Sequence, residues 1–153
     1  MLETRRATPA DAELIGQQRL RMFIDAGMGE QARLPSMIEK FLAWLRPKLA
    51  DGTYLGWIVE EDSVPLAGCG MWIMDFPPNI RDEEPHRAYL MNFYVAPELR
   101  RRGIGRDLLA LSVAEAKARR IKIVTLHASK FGKPLYEQNG FAMSNEMMLR
   151  QEV

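Results

Sequence analysis

The chain has a single cysteine, Cys69, only two histidines, and no long apolar run. One cysteine excludes an internal disulfide and suits a reducing cytosol. His86 and His127 stand apart, with no spacing that gathers metal ligands, so no metal is expected. No stretch approaches membrane length, and the opening MLETRRATPAD is too polar for a signal peptide. The expectation is a cytoplasmic protein without a membrane partner. Charge of one sign is also missing: 21 Lys and Arg stand against 20 Asp and Glu. No global field recruits nucleic acid, and any basic effect must be local. Repeats, low-complexity tracts and linkers are absent.

What remains is ordinary globular material, with 47% hydrophobic and 27% charged residues. One domain, 1–153, with a proper core is expected. Cys69 lies in a strand-like run and reads as a small buried residue. Met143, Met147 and Met148 read as adaptable packing.

The informative stretch is Tyr89 to Leu111. It reads YLMNFYV, then APELRRRGIGR, then DLLAL. Leu90, Met91, Phe93, Tyr94 and Val95 make a strand buried on both faces. Ala96-Pro97 stops it, because proline has no N–H to give a neighbour. From Ile104, with Leu108 and Leu111, the apolar spacing turns helical. Gly103 and Gly105 thus sit at or just inside a helix start, where backbone N–H groups have no partner in the helix. An anion can approach them closely, and the helix dipole favours it. Arg100, Arg101, Arg102 and Arg106 gather cations there, and pyrophosphate is the natural guest. The same turn is also compatible with a solvated, arginine-rich helix start. Two rival phosphate motifs fail on spacing. G-x-G-x-x-G would need glycine where Leu108 stands, and Gly132-Lys133 is followed by Pro134 rather than completing a P-loop.

Leu2 to Arg6 reads as an opening strand. Thr8-Pro9-Ala10-Asp11 opens a helix that Gly27 ends. Ser36-Met37-Ile38-Glu39 is a capping box for a second helix, which Pro47 should kink or end. Tyr54 to Glu60 and Leu66 to Phe76 are strands, and Pro77 to Arg87 is an irregular polar connection. Ile121 to His127 alternates as a fifth strand. Lys133 to Asn139 forms a short helix, and Phe141 to Gln151 reads as one or two final strands. The order is that of a mixed α/β sandwich around one sheet.

The arginine turn resembles the pyrophosphate loop of the GNAT (Gcn5-related N-acetyltransferase) superfamily. The family pattern, Arg/Gln-x-x-Gly-x-Gly/Ala, is matched by Arg100-Arg101-Arg102-Gly103-Ile104-Gly105. A second family feature, a tyrosine shortly before Gly-Phe, appears as LYEQNGF, Leu135 to Phe141. The resemblance implies a GNAT-like acyl-CoA N-acyltransferase fold (α/β, α+β mixed), one twisted mixed sheet of six to seven strands flanked by about four helices. It implies acetyl-CoA as co-substrate and a small-molecule or peptide amine as partner. A homodimer stays open.

Acyl transfer from a thioester to an amine needs the amine deprotonated, an oxyanion stabilised and the thiolate protonated. An alkylammonium has a pKa near ~10, so desolvation or a base must help. By resemblance Tyr136 donates the proton to sulfur. Phe93, Tyr94 and Val95 would act through backbone groups on a splayed fourth strand, pairing with pantetheine and stabilising the oxyanion. Arg100, Arg101, Arg102, Gly103, Ile104, Gly105 and Arg106 would hold the diphosphate. Many members place an asparagine after the fifth strand. Here stand Ala128-Ser129-Lys130, and Ser129 or Lys133 would substitute. Some members carry a glutamate base in the fifth strand, where this chain has Thr125, so no base is assigned. Asn92 either points toward substrate or marks a bulge. Glu30 and Glu83, with Asp82 and Glu84, would favour a cationic acceptor from the loops. The alternative is a non-catalytic acyl-CoA-binding or sensing module on the same fold; a nucleic-acid-binding use of RRRGIGR runs against the balanced charge.

Overall fold

The computed structural model describes residues 1–28 and 33–153. Strand β1 (Leu2–Arg6) leads through a single 3-10 turn (Pro9–Asp11) into α1 (Ala12–Asp25). Thr8 caps that turn as expected: its N–H donates to Asp11 at 2.7 Å. Helix α2 (Leu34–Asp51) is followed by β2 (Tyr54–Glu61), β3 (Val64–Asp75) and β4 (His86–Val95). Helix α3 (Ile104–Ala118), β5 (Val124–Leu126) and α4 (Lys133–Gln138) complete the order.

The strands form one mixed sheet in the order β1-β2-β3-β4-β5. The first four run antiparallel, and β5 lies parallel to β4. Side chains alternate across a strand, so the sheet has two apolar faces. Cys69, Met71, Ala88 and Leu90 meet Leu108, Leu109 and Ala116 of α3 on one. Tyr54, Trp72 and Met91 meet α1 and α2 through Ile15, Phe41 and Leu45 on the other.

Five expectations are corrected. The sheet has five strands among the described residues, not six or seven, because residues 141–153 pair with no strand. Met143, Met147 and Met148 accordingly do not pack and are 86%, 95% and 63% exposed. Pro47 does not end α2, which continues to Asp51. Leu45 and Leu49 are buried on either side of it, and that burial carries the helix across the missing N–H. The helix also opens ahead of the Ser36 box, because Pro35 suits a first turn. Finally, His86 and Arg87 belong to β4, drawn out of the irregular connection by pairing with Asp75 and Met74.

Candidate active site

The parallel pairing of β4 with β5 is short: Ala88 with Val124, Tyr89 with Thr125, Leu90 with Leu126. Beyond Leu90 the strands part, so Phe93, Tyr94 and Val95 have no ladder partner on that side. A bulge lies in the same place. The register between β3 and β4 shifts between Gly68 and Gly70, and Asn92 takes a φ of +59°. The extra residue breaks the alternation. Met91 and Asn92 both face α1 and α2, while Phe93 turns to the opposite side and packs with the α3 cluster.

Asn92 is 4% exposed and fully engaged. Its Nδ2 donates to the Tyr54 hydroxyl at 2.8 Å, and its Oδ1 accepts from Arg19 Nη1 at 2.7 Å. Of the two readings of Asn92, the structure carries the bulge, and its side chain is spent on Tyr54 and Arg19. Gly70 makes room for the arrangement, since a Cβ there would lie 1.9 Å from the Tyr54 hydroxyl oxygen. Burial pushes the Tyr54 phenol up, beyond any physiological titration.

At the far end of β4, a 3-10 turn (Pro97–Leu99) leads into the arginine segment. Gly103 sits at the N-cap of α3 with φ +82°, a conformation that side chains resist. The first helical bond runs from Asp107 N–H to Gly103 O at 3.0 Å. The N–H groups of Gly103, Ile104, Gly105 and Arg106 therefore have no acceptor among the described residues. Arg101, Arg102 and Arg106 are exposed around them. Arg100 does different work. Its Nε donates to Val95 O at 2.9 Å and its Nη2 to Asp25, which ties the turn to β4 and the end of α1.

Tyr136 on α4 is half-buried. Its ring meets Phe93 edge-on at 6.2 Å between centroids and Phe141 at 5.9 Å. Burial raises its pKa, and its hydroxyl has no hydrogen-bond partner among the described residues. Ser129 is used locally, accepting the Gly132 N–H at 3.1 Å before α4. Lys133 pairs across one helical turn with Glu137 at 3.7 Å. Glu83 is exposed on the connection at the opening end of β4, a strand length from Phe93. Glu30 lies outside the described residues.

One pair escaped the sequence reading. His127, just past β5, is not isolated: its Nδ1 meets the Tyr89 hydroxyl at 2.6 Å. Tyr89 shares the α1/α2 face of β4 with Met91, so this pair stands where β4 and β5 begin to part. Burial raises the Tyr89 phenol, and the positive charge of Arg19 partly offsets that. Tyr89 also meets Trp72 edge-on at 6.4 Å, and Trp72 meets Trp44 at 5.2 Å, giving this face an aromatic wall.

The sequence matches the Acetyltransferase (GNAT) family over residues 19–141. No curated protein sequence matches the chain. Among solved structures, a GCN5-related N-acetyltransferase from Ralstonia eutropha JMP134 is 38% identical with a TM-score of 0.92, each chain being 99% covered. A predicted acetyltransferase from Clostridium acetobutylicum, solved with acetyl-CoA, is 30% identical with a TM-score of 0.92, covering 99% of this chain and 96% of that one. Glucosamine-6-phosphate N-acetyltransferase from Arabidopsis thaliana shares the fold alone, at 15% identity and a TM-score of 0.66 over 99% of this chain and 98% of the other. The chain belongs to the GNAT acetyltransferase family.

Proposed function

We propose that the chain is an N-acetyltransferase that moves the acetyl group of acetyl-CoA to a primary amine by direct attack in a ternary complex. One observation carries this reading. The strand edge freed beyond Leu90 runs directly into a helix start whose N–H groups are unpartnered. When bound, acetyl-CoA supplies an acyl group activated as a thioester.

The chain's own residues divide the remaining work. The N–H groups from Gly103 to Arg106, with the guanidinium groups of Arg101, Arg102 and Arg106, suit a diphosphate. A side chain at Gly103 would crowd Arg106, with its Cβ 3.1 Å from Nη2, so glycine fits this cradle sterically and conformationally. The backbone of Phe93 to Val95 can pair with an amide-bearing arm as a further strand would, and one of its N–H groups can polarise the acyl oxygen. Tyr136 holds a proton on a phenol that burial keeps neutral, and gives it to the departing sulfur. On the opposite face of β4, His127 takes the proton of the amine and Tyr89 orients its ring.

A covalent acyl-enzyme has no nucleophile in this reading. Cys69 is buried beneath α3, its thiol 3.8 Å from Leu108 O and raised well above its usual range by burial. The deciding experiment is calorimetry with acetyl-CoA followed by CoA-release assays over a panel of amines. Tight binding with release supports the transferase. Binding without release for any amine would leave an acyl-CoA-binding module, and no binding at all would remove both.

A further inference from the structure

Arg19 is the least explained charge on the acceptor face. It stands on α1 with its guanidinium over the rings of Phe23 and Phe41, at 4.9 and 4.6 Å from the centroids. Nη1 donates to Asn92, and Nε is buried without a partner. Nη2 donates to no group of the described residues. No carboxylate of the described residues pairs with Arg19. Other partly buried arginines have one: Arg5 holds Asp11 and Glu60, and Arg87 reaches Glu146. The groups whose charge acts on Arg19 are the phenols of Tyr54 and Tyr89, which are neutral. Desolvation accordingly lowers its pKa, although an arginine stays charged.

A half-buried cation without a counter-ion is costly unless something brings one. Aromatic faces and one amide oxygen fix the guanidinium plane while leaving Nη2 unused and able to donate to a carboxylate. Its Asn92 partner lies on the bulge, and its charge reaches Tyr89, the residue that holds His127. Resting on the transferase reading above, we infer that the acceptor amine carries a carboxylate, and that Arg19 binds it while the amine meets His127 where β4 and β5 part. The substrate class is a small amino acid or a similar amino-carboxylate.

Matched pairs of amines test this, for example lysine against 1,5-diaminopentane and amino acids against their amides. The carboxylate member is expected to be preferred by roughly tenfold or more in kcat/KM, as a charge-assisted hydrogen bond implies. Arg19→Met should erase that preference with the acetyl-CoA KM within about twofold, while a structural arginine would lower both members of each pair alike. Equal use of both members by the native protein would overturn the assignment. Calorimetry with N-acetyl amino acids, native against Arg19→Met, reads the subsite without turnover. Affinity unchanged by the substitution, or no binding to either protein, overturns the subsite. Arg19-dependent binding in a protein that acetylates no amine upholds it and overturns the transferase instead.

Discussion

Phe93 on the bulged strand and Tyr136 on α4 meet edge to face, with ring centroids 6.2 Å apart. The contact holds the phenol beside the strand edge that β5 leaves open, while its hydroxyl bonds to nothing in the described protein. Removing that oxygen alone leaves the ring contacts in place. Tyr136→Phe should therefore change stability by under about 0.5 kcal/mol, since no hydrogen bond is lost. Turnover should fall by about 100-fold if the phenol protonates sulfur, with acetyl-CoA affinity kept. Steady-state kinetics beside calorimetry separates the two, and unchanged turnover would strip Tyr136 of its role.

At Gly103 fold stability and ligand binding pull in opposite directions. The φ of +82° costs any side chain about 1 kcal/mol, while an acid near a helix N-terminus recovers a few tenths of it. Gly103→Glu should thus lower stability modestly. It should weaken acetyl-CoA binding far more, by repelling the diphosphate at close range. Titration calorimetry beside urea unfolding reads both quantities, and native affinity in the variant would place the diphosphate elsewhere.

His127 gives a test on the other substrate. His127→Gln keeps a polar group for Tyr89 but cannot take a proton at neutral pH, so kcat should fall by about 100-fold. Tyr89→Phe should lower kcat less, because it disturbs only the orientation of the ring. An unchanged kcat in His127→Gln would point to water and desolvation as the whole aid to deprotonation.

Local signals were the legible ones. The turn from Arg100 to Gly105 announces itself because a positive-φ glycine, a helix start and clustered cations all fall within a few residues. Thr8 and Asp11 likewise carry their cap in sequence. The acceptor face was not legible. Arg19 meets Asn92 across 73 positions and Tyr89 meets His127 across 38, and a bulge sets which way Asn92 points. A bulge is one extra residue between paired strands, and no period within a single strand reveals it. The tail shows the converse: Phe141 to Val153 has the alternation of a strand, but a strand needs a neighbour that this one chain does not supply.

Acid sensitivity should run through the anchor of β1. Arg5 donates to Asp11 at 2.9 Å through both terminal nitrogens, and this pairing, chiefly, holds the Asp11 carboxyl below its ordinary range against the opposing effect of burial. A folded-state pKa lower than the unfolded one means stability that is full above the unfolded value, near ~4, and is lost as pH falls through the folded one. Asp11→Asn should therefore cost about 1 kcal/mol at neutral pH, discounted because the Arg5 side chain is 38% exposed. Below the folded pKa the native and variant proteins should converge. Urea midpoints at neutral and strongly acid pH test this, and a gap that stayed constant would assign the cost to packing instead.

Pro47 offers a gain. It is exposed in the interior of α2, so its ring adds little packing, while its missing N–H leaves the Ala43 carbonyl without a helical donor. Pro47→Ala restores that donor and removes the clash of the ring with the preceding turn. It also frees the unfolded chain, which takes back part of the benefit. The helical term is the larger, about 3 kcal/mol in an isolated helix interior against at most about 1 kcal/mol for the unfolded chain. A net rise of roughly 1–2 kcal/mol in unfolding free energy is expected by urea titration, with acetyl-CoA binding untouched. A loss of stability would mean that α2 is bent at Pro47 to fit Leu45 and Leu49 into the core, so that the proline shapes the helix rather than interrupting it.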